Sequence, residues 1–330
     1  MPDVVVDVLV VGAGPSGLYG AYYAGFRGLS TAVVDALPEA GGQITALYPE
    51  KMIFDIAGFP AVRGKDLVES LVAQAAPFAP RYLLGEQAVA YAQVEDGVVI
   101  TTASGTTIGA KAVIVTGGIG TFTPRPLPGG GEWEGRGLDY IVPTYVPYAG
   151  KDVVVVGGGD SAVDWALGLE GVSRSVTLVH RREEFRAHAH SVKLLRDSSI
   201  TVVTPAQPMA INGDGSLESI TVRDVKTKAA RDLPCQAIVA ALGFTADISP
   251  LEAWGLDVQE RHIVVDTTMA TNLPRVFAAG DITEYPGKVR LISVGFGEAA
   301  TAVNNAATVI DPQATIFPGH STEQPEGPAA

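Results

Sequence analysis

Two glycine-rich segments could carry the chemistry of this chain. In the first, Gly12, Gly14 and Gly17 follow a run of β-branched residues and precede a helical pattern. In the second, Gly157 and Gly159 stand in the same setting. Glycines at such spacing let the backbone turn tightly and approach a pyrophosphate, which the amides and dipole of the next helix bind. Two such segments predict two dinucleotides in one chain and electron transfer between them.

The residue at the end of the following strand determines which dinucleotide the first segment accepts. Asp35 stands eighteen residues after Gly17, where a carboxylate accepts hydrogen bonds from a ribose hydroxyl. Because this carboxylate would repel a 2′-phosphate, we expect FAD or NAD at the first site and not NADP.

Arginines occupy the corresponding place in the second segment. Arg181, Arg182 and Arg186 follow the next predicted strand, where guanidinium groups accommodate the 2′-phosphate of NADP. The alternative is a solvated basic face in which they pair with Glu183 and Glu184. The combination favours FAD in the first site and NADPH in the second. The residues predicted to bind NADPH are Gly157, Gly159, Asp160, Ser161, Ala162, Arg181, Arg182 and Arg186.

The elements around both segments have the pattern of a Rossmann unit. An apolar strand, a helix and a second strand are predicted first at 4–11, 17–28 and 30–35, and again at 152–157, 161–169 and 175–180. A continuous apolar strand is typical of a parallel sheet buried on both faces. We therefore predict an α/β protein with two Rossmann-like, three-layer dinucleotide-binding domains.

Strands that end in glycine suggest how the two domains are connected. The runs 113–118 and 237–243 both end in glycine, and a further strand at 276–281 ends in Gly-Asp. The simplest topology inserts the second domain into the first. This predicts an FAD-binding domain at 1–118 and 246–330, closed by a helix at 297–309, and an NADPH-binding domain at 119–245.

The composition excludes several classes of protein. A net charge of −13 over 330 residues argues against nucleic acid and anionic membranes as general partners. Cys235 is the only cysteine, so an internal disulfide, a CxxC pair and a cysteine metal site are impossible, and no metal is expected. No apolar run approaches the ~20 residues of a membrane span, and no basic leader precedes the first strand. We expect a soluble, cytoplasmic protein.

Several motifs resemble the two-dinucleotide-binding flavoproteins of the thioredoxin reductase type. These are Gly41-Gly42-Gln43, the arginine segment 180–186 and Gly280-Asp281. The stretch 140–147, where those enzymes carry a CxxC pair, contains no cysteine. A dithiol relay is therefore excluded.

Longer motifs resemble one group within that type, the bacterial ferredoxin–NADP reductases. They read ALYPEK at 46–51, DIAGFP at 55–60, GGGDSAVDWA at 157–166 and GFGEAATAVNN at 295–305, with a similar ending at 311–322. This resemblance implies a homodimer with non-covalent FAD. It also implies that Tyr48 stacks on one face of the flavin and His320, from the partner subunit, on the other. The FAD contacts that it implies are Asp35, Gln43, Tyr48, Val89, Phe122, Asp281 and Thr322.

The expected activity follows from these cofactors. NADPH would reduce FAD by hydride transfer, and one-electron transfers to or from ferredoxin or flavodoxin would follow. An acidic carrier would need a local basic patch, to which Lys51, Arg63, Lys65, Lys288 and Arg290 could contribute. One alternative is an NADPH-dependent reductase of another acceptor, such as a quinone or a dithiol protein. The other is a non-enzymatic flavin-based redox sensor.

Overall fold

Two separately packed units make up the structure, and the chain passes from the first to the second and back twice, once for a short segment and once for the main part of the second unit. The computed structural model describes residues 1–320, apart from the side chains of residues 121, 122 and 246. The first unit contains Met1–Ala46, Met52–Phe122 and the described part of Ala246–Ala330. The second contains Leu47–Lys51 and Thr123–Thr245.

The strands are numbered in chain order. The first eight are Val4–Val11 (β1), Thr31–Asp35 (β2), Met52–Ile53 (β3), Val62–Arg63 (β4), Arg81–Leu84 (β5), Ala88–Val94 (β6), Gly97–Thr102 (β7) and Thr107–Val115 (β8). Next come Thr121–Pro124 (β9), Leu138–Asp139 (β10), Asp152–Gly157 (β11), Ser175–Val179 (β12), Thr201–Val203 (β13), Ala206–Asn212 (β14), Ser219–Asp224 (β15), Ala230–Pro234 (β16), Ala237–Ala241 (β17) and Phe244–Asp247 (β18). The last are Val258–Gln259 (β19), His262–Val264 (β20), Val276–Ala278 (β21) and Thr283–Glu284 (β22).

The helices lie mainly between the parallel strands. They are Pro15–Phe26 (α1), Gln43–Leu47 (α2), Gly64–Ala75 (α3), Asp160–Glu170 (α4), Ala189–Asp197 (α5), Ser249–Glu252 (α6) and Ile292–Ile310 (α7), with short 3₁₀ turns at Ala76–Phe78 and Val146–Tyr148. None of the helices within residues 1–320 is long and apolar enough to cross a membrane.

A seven-stranded sheet organises the first unit. Its order is β5-β2-β1-β8-β7-β6, and β21 also pairs with β8. The strands β5, β2, β1, β8 and β21 are parallel, whereas β6, β7 and β8 form an antiparallel meander. Apart from Asp7, the central strand β1 is apolar, and its second half is covered on both faces: Val8, Leu9 and Val10 are fully buried.

The side chains of β11 alternate between two hydrophobic clusters, and this shows the order of the layers in the second unit. Its parallel sheet has the order β10-β17-β11-β12-β13, and β14, β15 and β16 form a separate antiparallel sheet. Val153 and Val155 pack in one cluster with residues of α4 and α5. Val154 and Val156 pack in another with residues of β14 and β15. Since successive side chains of a strand point to opposite faces, the parallel sheet lies between the helices and the small sheet.

The insertion predicted from the strand ends is present. The chain leaves the first unit after β8 through β9 and returns through β18, and these two strands pair with each other. The structure thus confirms an α/β protein in which one Rossmann-like unit is inserted into another.

The closing helix is longer than the sequence predicts. The prediction placed it at 297–309, whereas α7 begins at Ile292. Gly295 and Gly297 lower the helix propensity of the first turns, which hides this part of the helix from a sequence pattern. A Cβ on Gly295 would lie 2.3 Å from Oγ of Ser16, so α7 packs closely against the start of α1 at this position.

An ion pair at the start of β11 predicts a pH-dependent contribution to stability. The Asp152 carboxylate accepts hydrogen bonds from Arg174 and from Oγ of Ser175, which lower its pKa to about 2. Because the pKa is depressed in the folded state, this contribution is present above the unfolded pKa and is lost as pH falls towards 2. Asp152→Asn should lower Tm at pH 7, and the deficit should shrink to about half by pH 3.

Thermal unfolding followed by circular dichroism at both pH values measures this effect. Asp197→Asn is the matched control, because it removes an exposed i,i+4 pair with Lys193 and should change Tm little. An Asp152→Asn deficit of equal size at pH 7 and pH 3 would contradict the assignment.

Candidate dinucleotide-binding sites

The turn between β1 and α1 consists of glycines because its backbone segments approach too closely for side chains. Gly12 has a φ of +116°, and a Cβ there would lie 2.6 Å from the carbonyl oxygen of Thr116. A Cβ on Gly17 would lie 1.9 Å from the carbonyl oxygen of Gly12. By contrast, a Cβ on Gly14 would project into open space among the described residues. That space lies at the N-terminus of α1, whose first turn has no acidic residue, and it fits a pyrophosphate.

Asp35 ends β2 with its carboxylate beside this turn. Its Oδ2 accepts a hydrogen bond of 2.6 Å from the N–H of Ala13, and Oδ1 accepts one of 2.8 Å from the N–H of Leu37. Burial raises the pKa of Asp35, and the two backbone donors oppose that shift. A carboxylate has about four acceptor positions, so Asp35 can still accept from a ribose hydroxyl. That contact stays a prediction.

The segment Gly41-Gly42-Gln43 lies against the same turn. The N–H of Gly41 donates to the carbonyl oxygen of Ala13 over 2.8 Å. A Cβ on Gly42 would lie 2.9 Å from Cα of Gly14. Gln43 begins α2 directly after this contact, so the structure brings it close to the predicted pyrophosphate position.

A third segment meets the turn through Ser16. Gly280 follows β21 with a φ of +83°, and a Cβ there would lie 2.8 Å from Oγ of Ser16. Gly295 in α7 approaches the same hydroxyl. Asp281, next to Gly280, is half-buried. Burial raises its pKa, while Lys288 acts in the opposite direction.

Three further predicted FAD contacts are Val89, Phe122 and Thr322. Val89 lies at a register shift in β6, where Ala88 pairs with Thr102 and Ala90 with Thr101. Val89 is therefore the extra residue of a β-bulge, and its backbone is left out of the ladder. No sequence signal marked this bulge. The Phe122 side chain and Thr322 lie outside the described residues.

Tyr48, a further predicted FAD contact, follows α2. It lies in Leu47–Lys51, which belongs to the second unit. At the end of this segment, Nζ of Lys51 is 2.6 Å from Oδ2 of Asp164 in α4. Both residues belong to motifs that carried the resemblance, but the sequence did not show that they pair.

His320 lies at the end of an anchored segment. The guanidinium of Arg27 donates hydrogen bonds of 2.8 Å to the carbonyl oxygens of Thr315 and Ile316 and to Oδ1 of Asn304. His320 itself is exposed. These hydrogen bonds hold the segment that follows α7 against the C-terminal end of α1.

The turn between β11 and α4 repeats the close approach of the first turn. A Cβ on Gly157 would lie 2.5 Å from the carbonyl oxygen of Ala241. A Cβ on Gly158 would lie 2.2 Å from the imidazole ring of His180. Gly159 precedes the first residue of α4, and a Cβ there would meet open space among the described residues.

The arginine segment is docked directly on this turn. The N–H of Arg186 donates to the carbonyl oxygen of Gly158, and the N–H of His188 donates to Oδ1 of Asp160, both over 2.8 Å. Ser161 is exposed in the first turn of α4, whereas Ala162 is buried beneath it. The structure thus brings the predicted NADPH residues to one end of the second sheet.

The three guanidinium groups face solvent. Arg181, Arg182 and Arg186 are exposed, and within residues 1–320 none of them forms a salt bridge. Glu183 pairs instead with Lys226, so the alternative of a self-paired basic face does not describe this structure. Burial lowers the pKa of the neighbouring His180, and the three arginines add to that shift.

Comparison with known proteins identifies the family. The model of the pyridine nucleotide-disulphide oxidoreductases matches residues 6–306. The chain belongs to this family.

Within the pyridine nucleotide-disulphide oxidoreductase family, the chain is similar to proteins named ferredoxin–NADP reductase. One from Nocardioides sp. is 63% identical over 96% of this chain and 97% of its own. One from Thermus thermophilus is 49% identical, with the same coverage. Among solved structures, thioredoxin reductases from T. acidophilum and Lactococcus lactis give TM-scores of 0.78 and 0.77 at 27% and 25% identity. They cover 94% and 92% of this chain, and 99% of each neighbour is covered.

The cysteine content separates this chain from family members that act through a dithiol of their own. Cys235 is the only cysteine, and it is buried. Burial raises the pKa of its thiol to about 12, so the reactive thiolate is scarce at neutral pH. Cys235 is a packing residue of the second unit.

Two glycine substitutions distinguish the fold from the dinucleotide site. Gly17→Ala should destabilise the protein by several kcal/mol, because its Cβ would collide with backbone. Gly14→Ala should leave the Tm of the apoprotein nearly unchanged, since its Cβ meets open space, but should weaken FAD binding at least about tenfold by steric conflict with the pyrophosphate. Thermal unfolding and FAD titration measure the two effects. Unchanged FAD affinity in Gly14→Ala would exclude a pyrophosphate at this position.

Proposed function

We propose that this chain is a flavin-dependent ferredoxin–NADP reductase, with FAD in the first unit and NADPH in the second. One observation carries the proposal: relatives that are 58–63% identical over nearly the whole chain are named ferredoxin–NADP reductase. The different strand ends support the choice of cofactors. Asp35 ends β2, whereas three exposed arginines, which form no salt bridge within residues 1–320, follow β12.

The residues of the chain would bind and orient the cofactors. When bound, these would supply hydride transfer between nicotinamide and flavin, followed by one-electron exchange with an iron–sulfur or flavin carrier protein. Gly14 and α1 would receive one pyrophosphate, and Gly159 and α4 the other. The arginine segment would hold the 2′-phosphate. This activity requires no side-chain nucleophile or general base, because its rate depends on positioning.

The flavin-facing residues remain part of the proposal. Tyr48 and His320 would cover the two faces of the flavin, with His320 supplied by the partner subunit of a homodimer. Gln43, Val89 and Asp281 would contact the rest of FAD, as would Phe122 and Thr322. The cytoplasmic location expected from the composition also stays a prediction.

The basic docking patch needs revision. Lys288 is 1% exposed and pairs with Glu298, so it cannot contribute to a surface for an acidic carrier. Lys51 and Arg290 are engaged by Asp164 and Glu284. A basic patch built from these residues is therefore weaker than their number in the sequence suggests.

The arginine segment predicts selectivity for NADPH over NADH. The double variant Arg181→Gln/Arg182→Gln should raise KM for NADPH about 10–100-fold, because hydrogen bonds to charged groups contribute about 1.5–3 kcal/mol. KM for NADH should stay within about twofold, since NADH has no 2′-phosphate. Steady-state ferricyanide reduction measures both. Lys226→Gln, which removes the partner of Glu183, is the control and should change neither value. An equal rise for both nucleotides would reject the phosphate contact.

The decisive experiment is NADPH-driven cytochrome c reduction by the FAD-loaded protein, with and without ferredoxin. Strong stimulation by ferredoxin is the expected result. Rapid bleaching of the flavin by NADPH without stimulation would assign the function to another acceptor, such as a quinone or a dithiol protein. Bleaching that takes minutes would instead indicate a redox sensor.

A further inference from the structure

An ion pair lies inside the first unit, away from solvent. The side chains of Lys288 and Glu298 are 1% and 5% exposed, and Nζ of Lys288 is 2.5 Å from Oε1 of Glu298. Removing two charges from water costs several kcal/mol per ion, and apolar replacements for such pairs are often neutral or stabilising. A contribution to folding stability therefore does not by itself explain why this ion pair is present.

Both members of the ion pair form hydrogen bonds with the backbone of Gly280. Oε2 of Glu298 accepts a hydrogen bond of 2.7 Å from the N–H of Gly280, and Nζ of Lys288 donates one of 2.9 Å to the carbonyl oxygen of Gly280. The hydroxyl of Tyr285 donates to Oε1 of Glu298 over 2.5 Å. Both polar backbone groups of Gly280 are thus held by charged side chains, which form stronger hydrogen bonds than neutral ones.

Gly280 has a conformation that needs such support. Its φ of +83° and its contact with Ser16 admit only glycine, and glycine is the residue with the greatest backbone freedom. Oγ1 of Thr283 also donates to its carbonyl oxygen over 2.8 Å. The backbone at Gly280 determines the direction in which the next side chain, Asp281, leaves the turn.

We propose that Glu298, acting with Lys288 and Tyr285, is a positioning residue that orients the Gly280-Asp281 turn for the contact with FAD that is expected of Asp281. The side chains of Glu298 and Lys288 are buried and act through their hydrogen bonds to the backbone of Gly280. The proposal rests on the flavin assignment of the proposed function but is independent of the electron acceptor.

The first measurement is the dissociation constant of FAD, obtained by titrating apoprotein and following flavin fluorescence, together with the visible circular dichroism of the bound flavin. Glu298→Gln should weaken FAD binding about tenfold, the effect of losing one charge-assisted hydrogen bond, and should change the dichroism. Glu284→Gln is the matched control. It removes a more exposed pair with Arg290 on the same segment and should leave FAD affinity within about twofold.

A second variant separates positioning from folding. Glu298→Gln/Lys288→Met removes both charges, so the apoprotein should regain the Tm that Glu298→Gln alone loses. The weak FAD binding and the altered dichroism should persist, because Gly280 has still lost its charged partners. Recovery of FAD affinity together with Tm would show that the pair is only structural and would overturn the proposal. If Glu298→Gln does not fold, this double variant and Tyr285→Phe provide the same comparison.

A double-mutant cycle tests the route through Asp281. Asp281→Asn should weaken FAD binding by itself, and adding Glu298→Gln should then cost less than about twofold more, because residues that act through one contact are not additive. Additive losses would refute the route. Failure of the unmodified apoprotein to bind FAD would refute the flavin assignment itself, a result distinct from normal FAD binding without stimulation by ferredoxin.

Discussion

The backbone contact between Gly12 and Gly17 is the constraint on which the rest of the first unit depends. A side chain at either position would overlap backbone atoms, so β1 can enter α1 only along this path. The other segments then attach to residues of the same turn. Asp35 and Gly41 bond to Ala13, while Gly280 and Gly295 pack against Ser16. A single tight turn thereby gathers segments that are as many as 283 residues apart, from Gly12 to Gly295.

The second unit has a similar glycine turn, but arginines stand beside it where the first unit has a carboxylate. Its close approaches are those of Gly157 to Ala241 and of Gly158 to His180. Where the first unit places a carboxylate that accepts from its own turn, the second places exposed arginines on a segment docked to Gly158 and Asp160. One backbone design thus occurs twice in the chain, and the two units differ in the side chains that stand at and after their strand ends.

Charges in this acidic chain have two different uses. Asp152 and Arg174 lie near the surface and join neighbouring strands. Lys288 and Glu298 are buried and hold a glycine backbone instead. In a sequence, a lysine such as Lys288, nine residues before the helix predicted at 297–309, is expected on the surface, because lysine is almost never fully buried unless it is paired. Only the position of Glu298 on α7, facing Gly280, reveals its partner.

The sequence by itself determined the fold class, the insertion of one unit in the other and the location of both glycine-rich segments. These follow from short-range patterns: apolar strands, glycine spacing and the residue at a strand end. The bulge at Val89, the start of α7 at Ile292, the Lys51–Asp164 pair and the network around Gly280 were decided by the tertiary structure. Each depends on atoms that are distant in the chain and become neighbours only after folding, so no local pattern could encode them.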